Sequence, residues 1–215
     1  VQWGATDEQL FYNDMDTETW TPFGVKLDPA SGATQRLDQT VYMVSPDGRW
    51  AASPCLLRTG LTQPGYGVIA PEEHVPRNQG APDHDGLYVT DTLAGNAKLL
   101  VSFKAIFEAT LEQDGAYGDG AFYGFHVKWN PQGTRLMFVV RWLPDKEGGR
   151  MKRNVVTMDA DGSNIQTAIP DVEWRKGGHH PNWTPDGDEV MMNLNIREEG
   201  LRFVSARYDG ADLRV

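Results

Sequence analysis

Short apolar runs alternate with polar turns along the whole chain, and one such phrase occurs four times, at 1–12, 43–52, 128–138 and 182–192. With Trp3, Val44, Trp129 and Trp183 set in one phase, each copy reads as an apolar strand, a tight polar turn and a second apolar strand. Three of the turns are Ser-Pro-Asp-Gly at 45–48, Asn-Pro-Gln-Gly at 130–133 and Thr-Pro-Asp-Gly at 184–187. Proline in the second place presets the backbone of a tight turn, and glycine in the fourth accepts the left-handed conformation that closes it. A repeat of this kind dictates the architecture.

The second half of each unit repeats as well. Another β-rich run, a polar turn with glycine and a short final run follow at 23–37, 86–101, 154–169 and 201–215. Four strands per unit, joined by tight turns, describe one propeller blade that packs face to face on its neighbours. The pattern therefore predicts an all-β chain, a β-propeller with four four-stranded blades in a single array over 1–215. The blades cover about 1–38, 40–102, 124–170 and 178–215. Propellers run from about four to eight blades, and the expectation is a piece of a larger ring. Its partners would then include the remaining blades or another copy of the chain.

The long segments all connect on one side. In an A–B–C–D blade the B–C loop and the link to the next blade share one face, and the A–B and C–D turns share the other. The long segments 14–22, 54–85, 103–125, 143–153, 171–178 and 194–200 are all of the first kind, so that face is where binding or catalysis is expected. The 54–85 stretch contains Gln-Pro-Gly-Tyr-Gly and reads as an ordered loop or lid. Phe103, Ile106, Phe107 and Leu111 have helical spacing, and the Gly-rich acidic run 114–120 reads as a gate or a solvated loop.

Candidate chemistry falls on the same face. His126 and His180 each stand three residues before the aligned Trp of their blade, so they enter neighbouring innermost strands at one level. Arg141 and Trp142 end the second strand of the third blade, and Asn195 and Arg197 end that of the fourth. Arg58 and Tyr66 come from the second blade, and Tyr123 lies just before His126. A histidine can move a proton near neutral pH, and an arginine presents a planar fork matched to carboxylates. The structural alternative makes the histidines satisfied strand residues, Arg141 a blade-to-blade ion pair and Trp142 core. His74 and His84 in the long loop stay ambiguous, and the turn aspartates lie on the far face.

Composition narrows the partners. The net charge is -10 with no Lys/Arg block, which argues against a nucleic-acid backbone as partner. No run of about 18 apolar residues is present, so no membrane-spanning helix is predicted. Cys55 is the single cysteine and has no internal disulfide partner. An export signal would lie upstream of Val1, and a periplasmic or extracellular location is the expectation.

The repeats resemble those of TolB-type propellers. The set Val-Ser-Pro-Asp-Gly, Pro-Gly-Tyr-Gly, Phe-His-Val-Lys-Trp-Asn-Pro, Arg-Trp and Gly-His-His-Pro-Asn-Trp is similar to the propeller polysaccharide lyases of the oligogalacturonate-lyase and ulvan-lyase group. That resemblance covers most of this chain and about half of such a protein, whose rings have seven blades. It implies β-elimination on an anionic, uronate-containing oligo- or polysaccharide. The catalytic positions implied are His126, Arg141 and His180, with Tyr66 or Tyr123 as the tyrosine. Arg58, Trp142, Asn195 and Arg197 would bind substrate. The oligogalacturonate branch also implies a divalent metal such as manganese, for which His126 and His180 are the positions available here, although no His-x-His is present. A non-catalytic propeller binding a protein or glycan is the alternative.

Overall fold

The computed structural model describes residues 1–112, 117–196 and 200–215, and these form an all-β array. The first sheet holds β1 (Gln2–Trp3), β2 (Leu10–Asp16), β3 (Thr21–Leu27) and β4 (Thr34–Leu37), hydrogen-bonded in chain order. The second holds β5 (Met43–Val44), β6 (Trp50–Ser53), β7 (Gly86–Asp91) and β8 (Ala97–Ser102). The third holds the long strands β9 (Gly120–Trp129), β10 (Arg135–Pro144) and β11 (Lys152–Asp159), with the shorter β12 (Gln166–Ile169). The fourth holds β13 (Gly178–Trp183), β14 (Glu189–Asn195) and β15 (Leu201–Arg207), and a single bridge from Ser205 to Arg214 stands where a fourth strand would pair.

The repeated phrase is the A–B turn. Gly48, Gly133 and Gly187 all have φ near +70°. Each donates its N–H to the first residue of its turn, Ser45, Asn130 or Thr184, at 2.8–3.0 Å. Only glycine adopts that backbone without cost. The aspartates serve the turns: Asp47 accepts from the Ser45 hydroxyl and the Arg49 N–H, and Asp186 from Thr184 and the Asp188 N–H.

Packing between sheets alternates by side-chain parity, because successive residues of a strand point to opposite faces. In β10, Leu136, Phe138, Val140 and Trp142 join Leu87, Val89, Phe103 and Phe122 in the core between the second and third sheets. Met137 and Val139 join Val190, Met192, Leu194 and Val204 between the third and fourth. Phe11, Leu37, Val41, Val44 and Ala51 fill the smaller core between the first and second. No such core joins the first and fourth sheets among the described residues, and Trp3 and Phe203 are each 60% exposed.

The 54–85 segment is ordered, and it contains an element the apolar pattern did not announce. Helix α1 (Leu56–Thr62) lies against β9, followed by a single 3-10 turn at Glu72–His74. The helical spacing at 103–111 does form a helix, α2 (Phe103–Ile106), which widens into a π-turn over Phe107–Leu111. Residues 114–116 of the gate expected at 114–120 lie outside the described residues. A last short helix, α3 (Asp171–Trp174), leads into β13. No helix among the described residues is long and apolar enough to cross a membrane.

Truncating the β10 core at Phe138→Ala is expected to cost about 3–5 kcal/mol of unfolding free energy in urea. Phe203→Ala on the open face should change stability by less than about 0.5 kcal/mol. Equal losses would contradict the packing just described.

Candidate functional site

A cleft of about 280 Å³ opens between the third and fourth sheets at the long-loop end. Its walls include His126 of β9, Arg141 of β10, Arg153 of β11 and the His179–His180 pair of β13, with Gln63 and Tyr66 from the long loop. No aspartate or glutamate is among its described lining residues.

Both predicted histidines sit where an inner strand bulges. Opposite β9 the register slips between Phe138 and Val140, so that Val139 faces both Phe125 and His126. Opposite β13 it slips between His179 and Asn182, leaving Met192 to face His180 and Pro181. A bulge re-aims side chains at the cost of ladder bonds, and bulges concentrate at functional sites. His180 also holds φ +60, a left-handed backbone that non-glycine residues occupy at a cost of order 1–3 kcal/mol. Its ring meets that of His179, with the two Nδ1 atoms 2.7 Å apart.

His126 is tied to Tyr42, whose hydroxyl forms a short hydrogen bond with its Nδ1. Burial first, then the positive charges of Lys128 and Arg141 and the proximity of His180, pull the His126 pKa down to about 4. The imidazole is therefore neutral at physiological pH. Burial pushes Tyr42 up to about 12, so its phenol keeps its proton. When Nδ1–H donates to the phenol oxygen, Nε2 is left as a free acceptor; in the other tautomer the roles reverse.

Arg141 is 4% exposed and has no carboxylate partner among the described residues. Its Nη1 donates to the Thr62 carbonyl at 2.8 Å and to Gln63 Oε1 at 2.7 Å, both at the end of α1. Its guanidinium carbon lies 4.0 Å from the centre of the Phe125 ring, and its Nε is buried without a partner. Burial and the neighbouring Arg153 lower its pKa to about 10, which still leaves it charged at neutral pH. Tyr66 rests edge-on against Phe125, 5.1 Å between ring centres, and remains 52% exposed. Gly67 beside it is required, since a Cβ there would lie 2.3 Å from the Leu56 carbonyl oxygen.

The structure therefore brings together His126, Arg141, His180 and Tyr66 and sets other predicted residues elsewhere. Trp142 points into the core with the even-numbered residues of β10, edge-on to Tyr117, so it offers no stacking surface beside Arg141. Tyr123 is 3% exposed and does not line the cleft; burial raises its pKa, opposed first by a hydrogen bond from the Asn78 backbone and then by the charges of Arg77 and Arg58. Arg58 pairs with buried Asp85 at 3.2 Å and donates to the Pro76 carbonyl, anchoring the long loop rather than facing the cleft. Asn195 donates to the Lys176 carbonyl outside the cleft lining, and Arg197 lies outside the described residues. His84 is exposed beside Asp83 and His74 lies near Trp20, so neither enters the cleft. The reading from sequence missed Tyr42, Gln63 and Arg153.

The metal implied by resemblance does not fit this donor set. Among the described residues no group of three His, Cys, Asp or Glu side chains could hold an ion. The cleft offers imidazoles and guanidinium groups, and the latter repel cations.

The sequence matches no family model and no curated protein. Similar solved folds include tricorn protease, with TM-score 0.53 at 10% identity over 93% of this chain and 16% of that one. A TolB-type protein from Agrobacterium tumefaciens gives TM-score 0.51 at 15% identity over 99% of this chain and 58% of that one. Puromycin hydrolase gives 0.51 at 18% identity, covering 99% of this chain and 31% of its own. The chain thus spans little more than half of the TolB-type protein and less of the others. Together with the stacked antiparallel sheets, three of four strands and one of three among the described residues, these likenesses show a β-propeller fold.

Because folding lowers the affinity of His126 for its proton, only the unfolded chain takes up that proton between about pH 6.5 and about 4. The stability it contributes is complete above 6.5 and is lost as pH falls through that window. NMR titration should place the His126 midpoint near 4, and His126→Gln should flatten the pH dependence of unfolding over the window. A midpoint at the unperturbed 6.5 would contradict the buried setting.

Proposed function

We propose that the cleft binds a uronate-containing oligo- or polysaccharide and cleaves it by β-elimination. The observation that carries this reading is a buried guanidinium with no carboxylate partner among the described residues, beside a neutral histidine, in a cleft whose described lining has no acidic residue. Arg141 neutralises the sugar carboxylate, which acidifies the adjacent C–H and stabilises the enediolate-like state. His126 Nε2 takes that proton while Nδ1–H is held by Tyr42, which acts as a positioning residue. The electron pair of the broken C–H bond forms the new C=C bond as the bond to the leaving oxygen breaks. His180 protonates that oxygen, with Tyr66 a second donor on the same wall. The chain as a whole is acidic, so these cleft cations have to attract the polyanion locally. In this reading the open faces of the first and fourth sheets receive further blades of a larger ring or another copy of the chain.

A non-catalytic propeller that holds an anionic glycan is the second reading. The weak basicity of His126 favours it, since a base with a pKa of about 4 drives proton abstraction poorly. A bound carboxylate would raise that value.

The test is ultraviolet absorbance of unsaturated uronate during incubation with uronate polysaccharides. Signal growth is expected, reduced about 10²–10⁴-fold in folded His126→Ala and similarly in Arg141→Gln. Tyr42→Phe should fall less and shift the pH profile. Binding without any absorbance change would select the non-catalytic module, and the absence of both would discard the uronate reading.

A further inference from the structure

We infer that Arg153 is a second anion-holding group of the cleft and that the ligand presents two neighbouring carboxylates to it. This inference rests on the uronate reading of the same site. Arg141 and Arg153 are direct partners across the β10–β11 ladder, where like charges destabilise a sheet. Neither guanidinium forms an ion pair among the described residues, and the Nε atoms of both are buried without partners. The carboxylate of Asp171, which meets the backbone of Arg153, is already engaged by another arginine. Asp171 accepts from both terminal nitrogens of Arg150, at 2.9 and 2.5 Å, and from the backbone N–H of Arg153 at 3.0 Å.

Two positive charges thus stand side by side on a wall with no acidic residue in its described lining. One carboxylate would balance only one of them. Arg141 cannot turn to share its ligand, because Thr62 and Gln63 hold Nη1 and Phe125 lies against its plane. Arg153 has no such anchor on its guanidinium, so it is placed to take the carboxylate of an adjoining sugar. That makes Arg153 a specificity-determining residue, favouring adjoining uronates over an isolated one.

Calorimetric titration of galacturonate and digalacturonate against wild type, Arg153→Gln, Arg153→Lys and Arg141→Gln tests this. Wild type should bind the dimer about tenfold more tightly than the monomer, the size of one hydrogen-bonded charge pair. Arg153→Gln should erase that preference and leave monomer affinity unchanged, Arg153→Lys should keep part of it, and Arg141→Gln should weaken both ligands. Without ligand, Arg153→Gln should melt no lower than wild type, since it removes a like-charge contact. A uniform loss for both sugars, no change for the dimer, or a lower melting temperature in Arg153→Gln would overturn the inference alone. Wild-type binding of neither sugar would overturn the uronate reading and this inference with it.

Discussion

Strand β10 is buried on both faces, and the position of every group in the cleft depends on that burial. Leu136, Met137, Phe138, Val139 and Val140 are all fully buried, alternating between the core shared with the second sheet and the core shared with the fourth. Each such side chain removed from water contributes about 1.5–3 kcal/mol, so the strand cannot slide or rotate cheaply. A shift of one residue would exchange the two faces entirely. Arg141 follows this run with the parity of Met137 and Val139, and it therefore emerges between the third and fourth sheets. The apolar core thus places a charge that the core itself would reject.

That charge is tolerated because its surroundings are polar without being acidic. The end of α1 supplies a carbonyl and an amide oxygen to Arg141, and Phe125 supplies a ring face. Helix α1 is held in turn by the loop behind it. Arg58 bonds to Asp85 and Pro76, and Asn78 donates to Asp85 at 2.7 Å and to the Phe122 carbonyl at 2.8 Å. The long loop is therefore part of the fold, and its buried ion pair serves the cleft indirectly. Burial lowers the proton affinity of His126 most, and the charges of Lys128 and Arg141 add to it, so the imidazole and the guanidinium of one cleft are electrostatically linked.

Much of the fold was legible in the sequence because the A–B turn is a strict chemical demand. Three copies of a Pro-x-Gly turn at one phase leave few architectures, and the sheets follow that phase. The level of His126 and His180 was legible for the same reason. Trp142 was misassigned although the information was present: the apolar run of β10 requires Trp142 and Arg141 to face opposite ways. Helix α1 was not legible, since its apolar residues are few and its stability comes from packing on β9.

Tyr42 and Arg153 were hidden for different physical reasons. Tyr42 precedes the two-residue strand β5, a strand kept short because the side-chain amides of Gln2 and Asn13 satisfy the backbone around it. Its contact with His126 crosses from one sheet to the next, and no local pattern encodes it. Arg153 faces Arg141 only because of the register across the 145–151 loop, whose length lies outside the tight hairpins that dictate register from sequence. Pairs that carry chemistry across sheets thus arise from closure of the packed array, whereas the repeat encodes only the frame. The cleft is the place where local consistency gives way: two bulges, a left-handed histidine and two guanidinium groups without an ion-pair partner among the described residues converge there. Such departures are tolerated where the surrounding cores over-determine the backbone, and here β10 provides that constraint.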